Sequence, residues 1–527
     1  MTASAAKPRL DSYGDKPALI MGGSGEVVTF AQLDARSKQV AQLLHGTGIR
    51  RGDHIAIVME NNARFLEIAW AAQRSGLYYT PVNWHLSPAE ASYIVKDCGA
   101  KALFTSANVG ALTHGLGSDS DAKVRLSIGG NVSGFDSYER AIEAYPARAL
   151  DEETEGAAMC YSSGTTGKPK GILRPSSYAP FGEGTFAERT LATEYPFSER
   201  TVYLSPGPLY HAAPIYWSMA TQRFGGTAVI MEKYDPALTL QLIERYRVTM
   251  AQFVPTMFVR MLKLPPDERT RHDLSSLKFA IHAAAPCPIW VKEKMLEWWG
   301  PIIHEYLGSS EGGMVAIGPE EWMKHKGSVG KPRQITVHIL DKDGKELPRG
   351  EAGVIYYEGN ARFEYHRDPA KSAEAFDHHG WTTVGDIGYL DDDGYLYLSD
   401  RKAHMIISGG VNIYPQEVEN VLVEHPKVAD AAVIGVPNEE FGEEVKAVVQ
   451  LAASVVAEPA LEQELIAYCR ERIALQMSAL RRFRRRIAAH GERQIIEEAD
   501  QGSLLERPPQ SHHLMRPQAS QRKCSEN

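Results

Sequence analysis

Residues Tyr161–Gly171 read YSSGTTGKPKG and carry the strongest chemical signal in the sequence. Hydroxyl, glycine and lysine residues fill most of this stretch: Ser162, Ser163, Gly164, Thr165, Thr166, Gly167, Lys168, Lys170 and Gly171. Glycines let backbone N–H groups approach an anion, hydroxyls donate to its oxygens, and lysines supply positive charge. The stretch therefore predicts a phosphate-binding loop rather than an ordinary flexible surface loop. It is not a Walker A loop, because Gly-x4-Gly-Lys-Ser/Thr is absent.

Short apolar runs alternate with amphipathic helical patterns on both sides of this loop. His54–Met59 and Tyr78–Val82 read as strands, and a helical pattern lies between them. The same alternation returns at Thr227–Met231, at PALTLQLIERYRV and at Met250–Pro255. Alternating strands and helices predict a parallel α/β sheet.

The pattern changes after about residue 330. Asp343 and Gly344 stand between two β-like runs, which is a turn signal for antiparallel strands. Beyond Asp400, two helical and two strand patterns form a compact unit. We therefore expect an α/β fold with a large N-terminal domain over residues 1–400, made of parallel α/β sheets with a β-rich subdomain. A hinge joins it to a small α+β domain over residues 401–474, and a tail over residues 475–527 is expected to be disordered.

The composition narrows the class of protein. The chain has 527 residues, which is too long for one hydrophobic core, and a formal net charge of -9. An acidic chain disfavours nucleic acid as a partner. The five cysteines have no CxxC spacing, which argues against a disulfide framework or a zinc site and fits the cytoplasm. The first residues lack the apolar core of a signal peptide, and no stretch approaches the ~18 apolar residues of a membrane-spanning helix.

Together with YSSGTTGKPKG, four further blocks resemble the adenylate-forming (AMP-binding) enzymes, and they occur in the order of that family. PLYHAAP begins at Pro208, AAAPCP at Ala283 and LGSSEGG at Leu307, and a long block begins with GWTTVGDIGYL at Gly380. Leu307 and Ser310 depart from the family pattern. The resemblance covers residues 15–474 and is strongest to the fatty-acyl-CoA ligase branch of the acyl-CoA synthetases.

The resemblance implies a nucleotide site. The cofactors would be ATP, Mg²⁺ and coenzyme A, and the carboxylic acid and ATP would react to acyl-AMP. Glu311 would ligate Mg²⁺, which prefers carboxylate oxygen, and Ser310 would donate near the α-phosphate. The implied ATP-binding residues are Ser162, Ser163, Gly164, Thr165, Thr166, Gly167, Lys168, Lys170, Asp386 and Arg401.

The resemblance also implies sites for the acid and the thiol. His211 would position the carboxylate and is counted with Ser310 and Glu311 as catalytic, although a lone histidine is often only structural. Cys287 lies in the block expected beside adenine, where a small apolar filler is the simpler interpretation. The small domain would rotate near Ala403, and Ser408, Gly409 and Gly410 would then lie against coenzyme A.

The activity implied is an ATP-dependent acyl-CoA synthetase of lipid metabolism that activates a carboxylic acid, with a fatty acid favoured. Two alternatives stay open: a ligase for aromatic or alicyclic carboxylates, and a catalytically impaired ATP-binding relative. The expected partners are small molecules, with no nucleic acid and no integral membrane segment. A homodimer is left open.

An arginine-rich segment, ALRRFRRRIAAHGER, begins at Ala479 where the family ends in Pro-Arg-x-x-x-Gly-Lys. No Gly-Lys pair follows Gly344-Lys345. A basic patch and a solvated tail are two interpretations. A change of reading frame near Ala474 is the third, because back-translation in a shifted frame permits YKCPRSVDFVDELPRTESGKLLKRR, the expected ending. The lysine of the family's Gly-Lys pair is therefore missing from this chain, and we expect its loss to impair adenylation.

Overall fold

A computed structural model describes residues 10–116, 120–162, 168–401, 406–408, 411–438, 442–452, 455–472 and 483–484. The strands are β1 (Pro17–Met21), β2 (Val27–Thr29), β3 (His54–Val58), β4 (Tyr78–Pro81), β5 (Ala100–Ser106), β6 (Val124–Ile128), β7 (Asp136–Ser137), β8 (Ala157–Ala158), β9 (Cys160–Ser162), β10 (Lys170–Leu173), β11 (Val202–Ser205), β12 (Thr227–Ile230), β13 (Met250–Phe253), β14 (Phe279–His282), β15 (Ile303–Gly308), β16 (Met314–Ile317), β17 (Lys331–Pro332), β18 (Thr336–Leu340), β19 (Gly353–Glu358), β20 (Glu364–Tyr365), β21 (Asp386–Leu390), β22 (Leu396–Arg401), β23 (Ile406–Ser408), β24 (Val411–Ile413), β25 (Val428–Asn438), β26 (Gly442–Leu451) and β27 (Phe483–Arg484).

The helices are α1 (Phe30–Gly46), α2 (Ala63–Arg74), α3 (Pro88–Asp97), α4 (Tyr138–Glu143), α5 (Phe186–Glu194), α6 (Ala212–Arg223), α7 (Pro236–Arg245), α8 (Pro255–Leu262), α9 (Pro266–Thr270), α10 (Ile289–Trp299), α11 (Pro319–Trp322), α12 (Pro369–Glu374), α13 (Pro415–Glu424) and α14 (Pro459–Arg472). Two short 3₁₀ segments occupy Leu10–Ser12 and Ala107–Thr113.

Two sheets with parallel cores form the large N-terminal region, as the alternation of strands and helices predicts. One has six parallel strands in the order β7-β6-β5-β3-β4-β8. The other has nine strands in the order β17-β16-β15-β14-β13-β11-β12-β1-β2, parallel from β15 to β1 and antiparallel at both edges. Loops that leave the carboxyl ends of parallel strands are the usual place for a ligand site in such sheets.

Side-chain hydrogen bonds join helices α2 and α6 to each other and to β1. Helix α2 is almost fully buried, including Trp70, whose indole N–H donates to Gln222 Oε1 at 2.6 Å. Gln222 lies on α6 and donates in turn to the Ala18 carbonyl of β1. A buried indole needs such an acceptor, because an unpaired polar group costs about 1–3 kcal/mol. This polar connection therefore fixes α6, whose N-terminus follows His211.

The predicted phosphate-binding stretch lies in a third, small sheet, in the order β20-β10-β9. The apolar run GAAMC before it, residues 156–160, is divided at Met159 between two sheets. Ala157–Ala158 pair with β4 in the six-stranded sheet, whereas Cys160–Ser162 pair with β10. Met159 is fully buried, so the chain crosses between the sheets inside the core.

The predicted β-rich subdomain is a four-stranded antiparallel sheet, β18-β19-β21-β22. The expected turn lies between β18 and β19, where Gly344 has φ +79° and donates to the Asp341 carbonyl. Strand β22 ends at Arg401 and β23 begins at Ile406. Ala403, the expected hinge position, lies between them and outside the described residues.

The small C-terminal region has the expected α+β composition, with β24-β23-β26-β25 and the short β27 forming its sheet. Lys263, at the end of α8, donates to the backbone carbonyls of Val423 and Val428 and so contacts this region. Burial lowers the pKa of Lys263 to about 8. Apart from Phe483–Arg484, which pair in parallel with β26, the tail expected to be disordered lies outside the described residues.

Candidate active site

A β-hairpin carries the candidate phosphate loop. Lys170 is paired with Ser162, so the residues between them connect two antiparallel strands. Ser163, Gly164, Thr165, Thr166 and Gly167 lie outside the described residues, whereas Ser162, Lys168 and Lys170 lie within them. The hairpin thus holds both ends of the predicted loop together.

Two contacts outside the loop hold the base of this hairpin. The Tyr161 hydroxyl donates to Asp97 Oδ2 at 2.6 Å, and the His366 backbone N–H donates to the Gly171 carbonyl at 2.8 Å. Lys168 lies over the ring of Tyr93, with Nζ 5.3 Å from the ring centroid. The anchoring residues come from α3 and from the segment after β20, so tertiary structure defines where the loop starts and ends.

Lys170 and Glu311, two of the residues predicted for this site, lie on either side of Tyr365. Lys170 Nζ is 5.3 Å from the centroid of the Tyr365 ring, and the Tyr365 hydroxyl donates to Glu311 Oε1 at 3.3 Å. Burial, and then the nearby Lys371 ammonium, lower the pKa of Lys170, while Glu311 is among the carboxylates that raise it. The site therefore combines a cation from the phosphate hairpin with a carboxylate from a different sheet.

Glu311 stands at the tip of the tight hairpin between β15 and β16. Gly312 and Gly313 have φ of +134° and +72°, conformations that L side chains rarely adopt. A Cβ on Gly312 would come within 2.7 Å of Asn360. Asn360 Oδ1 accepts from the Gly313 N–H at 2.7 Å, and its Nδ2 donates to Thr382 Oγ1 at 2.5 Å. The last two glycines of LGSSEGG are thus required by the shape of the turn.

Arg174 ties the two hairpins together. It lies just after β10, and its Nε and Nη2 donate to the Ser310 carbonyl at 3.1 and 3.0 Å. This places the backbone of Ser310, the predicted α-phosphate donor, at a fixed position beside the end of the phosphate hairpin. Arg174, Tyr365 and Asn360 are site residues that the sequence patterns did not indicate, because each acts through a partner distant in sequence.

A buried ion pair lies behind the block expected beside adenine. Lys292 on α10 is fully buried, and its Nζ lies 2.6 Å from Glu305 Oε2 on β15, the strand that leads to Glu311. His282, the last residue of β14, lies 3.4 Å from the same oxygen. Burial and the Lys292 charge hold the pKa of His282 well below 6.5, so its imidazole is neutral. Burial also raises the pKa of the Cys287 thiol, which agrees with a filler role.

The other predicted residues lie on separate elements. His211 precedes the first residue of α6, with its ring 4.6 Å from that of Tyr210. Asp386 is buried at the start of β21, opposite Arg401 of β22. Ser408 is the last residue of β23, and Gly409 and Gly410 lie outside the described residues.

The donor set at Glu311 is suited to Mg²⁺ and a polyphosphate. A carboxylate supplies the hard oxygen that Mg²⁺ prefers, and Mg²⁺ bound with ATP would neutralise phosphate charge. Lys170 adds a second cation to the same place. A predicted phosphate hairpin on a small antiparallel sheet, an acidic turn on the nine-stranded α/β sheet and a small α+β region after them are the arrangement expected of an adenylate-forming enzyme.

The chain belongs to the AMP-binding enzyme family, whose model matches residues 7–364, and the family's C-terminal domain matches residues 417–486. The second match runs past residue 474, where the resemblance was expected to stop.

Its relatives include the long-chain-fatty-acid–CoA ligase FadD13 of Mycobacterium tuberculosis, 29% identical over 89% of this chain and 90% of the relative. The 2-succinylbenzoate–CoA ligase of Bacillus subtilis is 30% identical over 91% of this chain and 95% of the relative. The solved structure of the Bacillus subtilis o-succinylbenzoate CoA synthetase with its acyl-adenylate intermediate has a TM-score of 0.75, at 28% identity over 93% and 96% of the two chains.

This membership makes the chain an AMP-forming acid–thiol ligase, a class that uses ATP, Mg²⁺ and coenzyme A. Within the described part of the chain, no helix is both long and apolar enough to cross a membrane.

Proposed function

We propose that the enzyme activates a fatty acid as its acyl-adenylate and transfers the acyl group to coenzyme A. The observation that carries the proposal is the Lys170–Tyr365–Glu311 group, which sets an ammonium and a carboxylate beside the phosphate hairpin. ATP and a carboxylate are both anionic, so the first step needs charge neutralisation and fixed orientation. These residues offer both.

The first step would use residues from both hairpins. Lys170, Lys168 and the Ser162–Gly167 loop would hold the β- and γ-phosphates, and Glu311 would ligate the Mg²⁺ bound to them. Ser310 would donate to the α-phosphate, with its backbone fixed by Arg174. In-line attack by the acid on the α-phosphorus then releases pyrophosphate.

The remaining roles are those that the family resemblance implies for the other predicted residues. Asp386 and Arg401, opposite one another across β21 and β22, would bind the ribose hydroxyls. His211, at the start of α6, would position the carboxylate of the acid. Ser408, with Gly409 and Gly410, would lie against the pantetheine arm of coenzyme A during the second step.

Two observations bear on the acid. The apolar run that follows His211 suits an acyl chain, and the relative FadD13 carries a long-chain-fatty-acid ligase name. An aromatic acid is the second candidate, because Trp217 of α6 is 1% exposed and its ring centroid lies 4.8–6.5 Å from those of Tyr195, Phe197, Tyr203, Phe279 and Tyr306. This aromatic cluster would shorten the space available to a long chain if it lines the acyl pocket, and a relative of comparable identity carries a 2-succinylbenzoate ligase name.

Release of AMP from ATP, Mg²⁺ and coenzyme A with a panel of acids tests the proposal. Fatty acids of increasing length should give the highest kcat/KM. Higher values with benzoates and phenylpropenoates would select the aromatic alternative, and no acid-dependent AMP release would contradict both. If this cluster limits chain length, the Trp217→Ala variant should have a higher ratio of kcat/KM for longer acids to kcat/KM for shorter acids.

We further propose that the adenylation step is impaired, because the chain after Ala474 lacks the family's Gly-Lys segment. Losing one preorganised donor to a developing oxyanion costs roughly 10²–10³ in rate. Grafting the shifted-frame ending after Ala474 should restore pyrophosphate exchange, with a smaller effect on transfer from supplied acyl-AMP to coenzyme A. Equal gains in both partial reactions would argue against the proposal, as would genomic DNA in which the shifted frame does not encode that ending.

The free thiols Cys98, Cys160, Cys287 and Cys469 fit a reducing compartment, and we propose the cytoplasm as the place of action. Light scattering at several concentrations would decide between a monomer and the homodimer left open by the sequence.

A further inference from the structure

We propose that Asp377, His378 and His379 form a binding site for a divalent transition-metal ion such as Zn²⁺. The three residues occupy the turn between α12 and β21. One ligand atom from each, a carboxylate oxygen and two imidazole nitrogens, lies within 4.8 Å of the others. Three such atoms at this separation can reach one ion after small side-chain rotations, which leaves further positions for water.

The turn holds the Asp377 carboxylate in a defined orientation. Oδ1 accepts from the backbone N–H of His379 at 2.9 Å and from that of Trp381 at 2.8 Å. Oδ2 is buried and has no hydrogen-bond partner among the described residues. A buried carboxylate oxygen without a partner is costly, because its water has been removed and nothing replaces it. A bound cation would provide the missing partner.

Ring contacts restrict the imidazoles. The ring centroids of His378 and His379 lie 3.8 Å apart, and the His379 ring stacks on Trp381 at 4.5 Å. Trp381 stacks in turn on His338 at 3.7 Å with an interplanar angle of 3°. His338 cannot compete for the ion without breaking contacts, since its two nitrogens lie 3.1 Å from Glu346 and Glu358. These contacts therefore limit the rotation of the His379 ring before any ion binds.

The ligand types select the class of ion. Two imidazoles and one carboxylate suit Zn²⁺, Cu²⁺, Ni²⁺ or Co²⁺, whereas Mg²⁺ and Ca²⁺ prefer oxygen ligands alone. The proposed site is thus chemically distinct from Glu311, which offers only oxygen. Because two of the ligands are exposed, the ion would exchange with solvent.

Equilibrium dialysis of the chelator-treated, nucleotide-free full chain against Zn²⁺ tests the proposal, with Co²⁺ absorption as a second signal. We expect saturable binding of one ion at this turn. The double variant His378→Gln/His379→Gln should abolish this binding, and Asp377→Asn should weaken it by roughly tenfold or more, since even an outer-shell partner is worth 10–100-fold. The chain offers a matched control in its other adjacent histidine pair, and His512→Gln/His513→Gln should leave the binding intact.

A measurement on the unaltered chain guards against misfolded variants. Zn²⁺ should protect His378 and His379 from carbethoxylation, read by mass spectrometry of the peptide that contains them. The proposal is overturned if this peptide is modified equally with and without Zn²⁺. It is also overturned if the His378→Gln/His379→Gln variant still binds the ion, or if the His512→Gln/His513→Gln variant loses all binding.

Discussion

Replacing Gly312 by alanine should disturb the turn that carries Glu311. Gly312 has φ +134°, and a Cβ built there lies 2.7 Å from Asn360 Cγ and Nδ2 and 2.9 Å from Oδ1. The nearest atoms belong to the amide group that holds the Gly313 N–H at 2.7 Å. Alanine must therefore either distort the backbone or push Asn360 away from its partner.

The two costs can be estimated separately. Holding a residue other than glycine in a sparsely populated backbone region costs about 1–3 kcal/mol. Displacing Asn360 loses a hydrogen bond worth about 1 kcal/mol and leaves a backbone N–H unpaired. We expect a total loss of roughly 2–4 kcal/mol in the free energy of unfolding. Since every 1.36 kcal/mol lost from transition-state stabilisation is tenfold in rate, a displaced Glu311 should lower acid-dependent AMP release by about tenfold or more.

Urea unfolding and AMP release measure both effects, and Gly394→Ala is the matched control. Gly394 has φ +82°, but no atom lies within 4 Å of its Cβ position. It should lose only about 1 kcal/mol, from backbone strain alone, and keep its activity. The reasoning fails if Gly312→Ala is no less stable than Gly394→Ala and releases AMP at the unaltered rate.

Three further predictions follow from the same structure. Arg174→Met removes both hydrogen bonds to the Ser310 carbonyl. AMP release should fall by about tenfold with folding intact, because hydrogen bonds from a charged donor are worth about 1.5–3 kcal/mol. An unchanged rate of AMP release would contradict the positioning role of Arg174. Lys292→Met should destabilise the protein by about 3–5 kcal/mol in urea unfolding, because Glu305 is left buried without its partner. The double variant Lys292→Met/Glu305→Leu should recover most of that loss. A double variant as unstable as the single one would count against this ion pair. Burial and neighbouring positive charges lower the pKa of His54 to about 4, below the usual 6.5, so the stabilisation from neutral His54 is present above pH 6.5 and is lost as the pH falls towards 4. His54→Gln should flatten the dependence of the unfolding free energy on pH in this range, and an unchanged slope would refute the assignment.

The secondary structure followed well from local patterns. The alternation of apolar runs and amphipathic patterns placed β3 and β4 to within a residue and a helix between them, because the spacing of apolar side chains reflects which face of an element is buried. The division of GAAMC between two sheets did not follow. Both pieces are apolar, and only tertiary pairing distinguishes Ala158, opposite Tyr79, from Cys160, opposite Ile172.

The candidate site was predicted only in part for a related reason. Lys170 and Glu311 lie in short motifs that resemble those of the family, so their roles could be predicted from the sequence. Tyr365 lies in no such motif, and it reaches Lys170 only because β20 pairs with β10. Arg174 and Asn360 likewise bond partners 136 and 47 positions away in the chain. A single sequence contains no local signal for such contacts.

A crystal structure with Mn²⁺ and a non-hydrolysable α,β-methylene analogue of ATP tests the central claim most directly. The account predicts the triphosphate between the Tyr161–Gly171 hairpin and Glu311, with Lys170 at the phosphate oxygens and the anomalous signal of Mn²⁺ beside the Glu311 carboxylate. Triphosphate density elsewhere, with this hairpin and Glu311 free of nucleotide and ion, would contradict it.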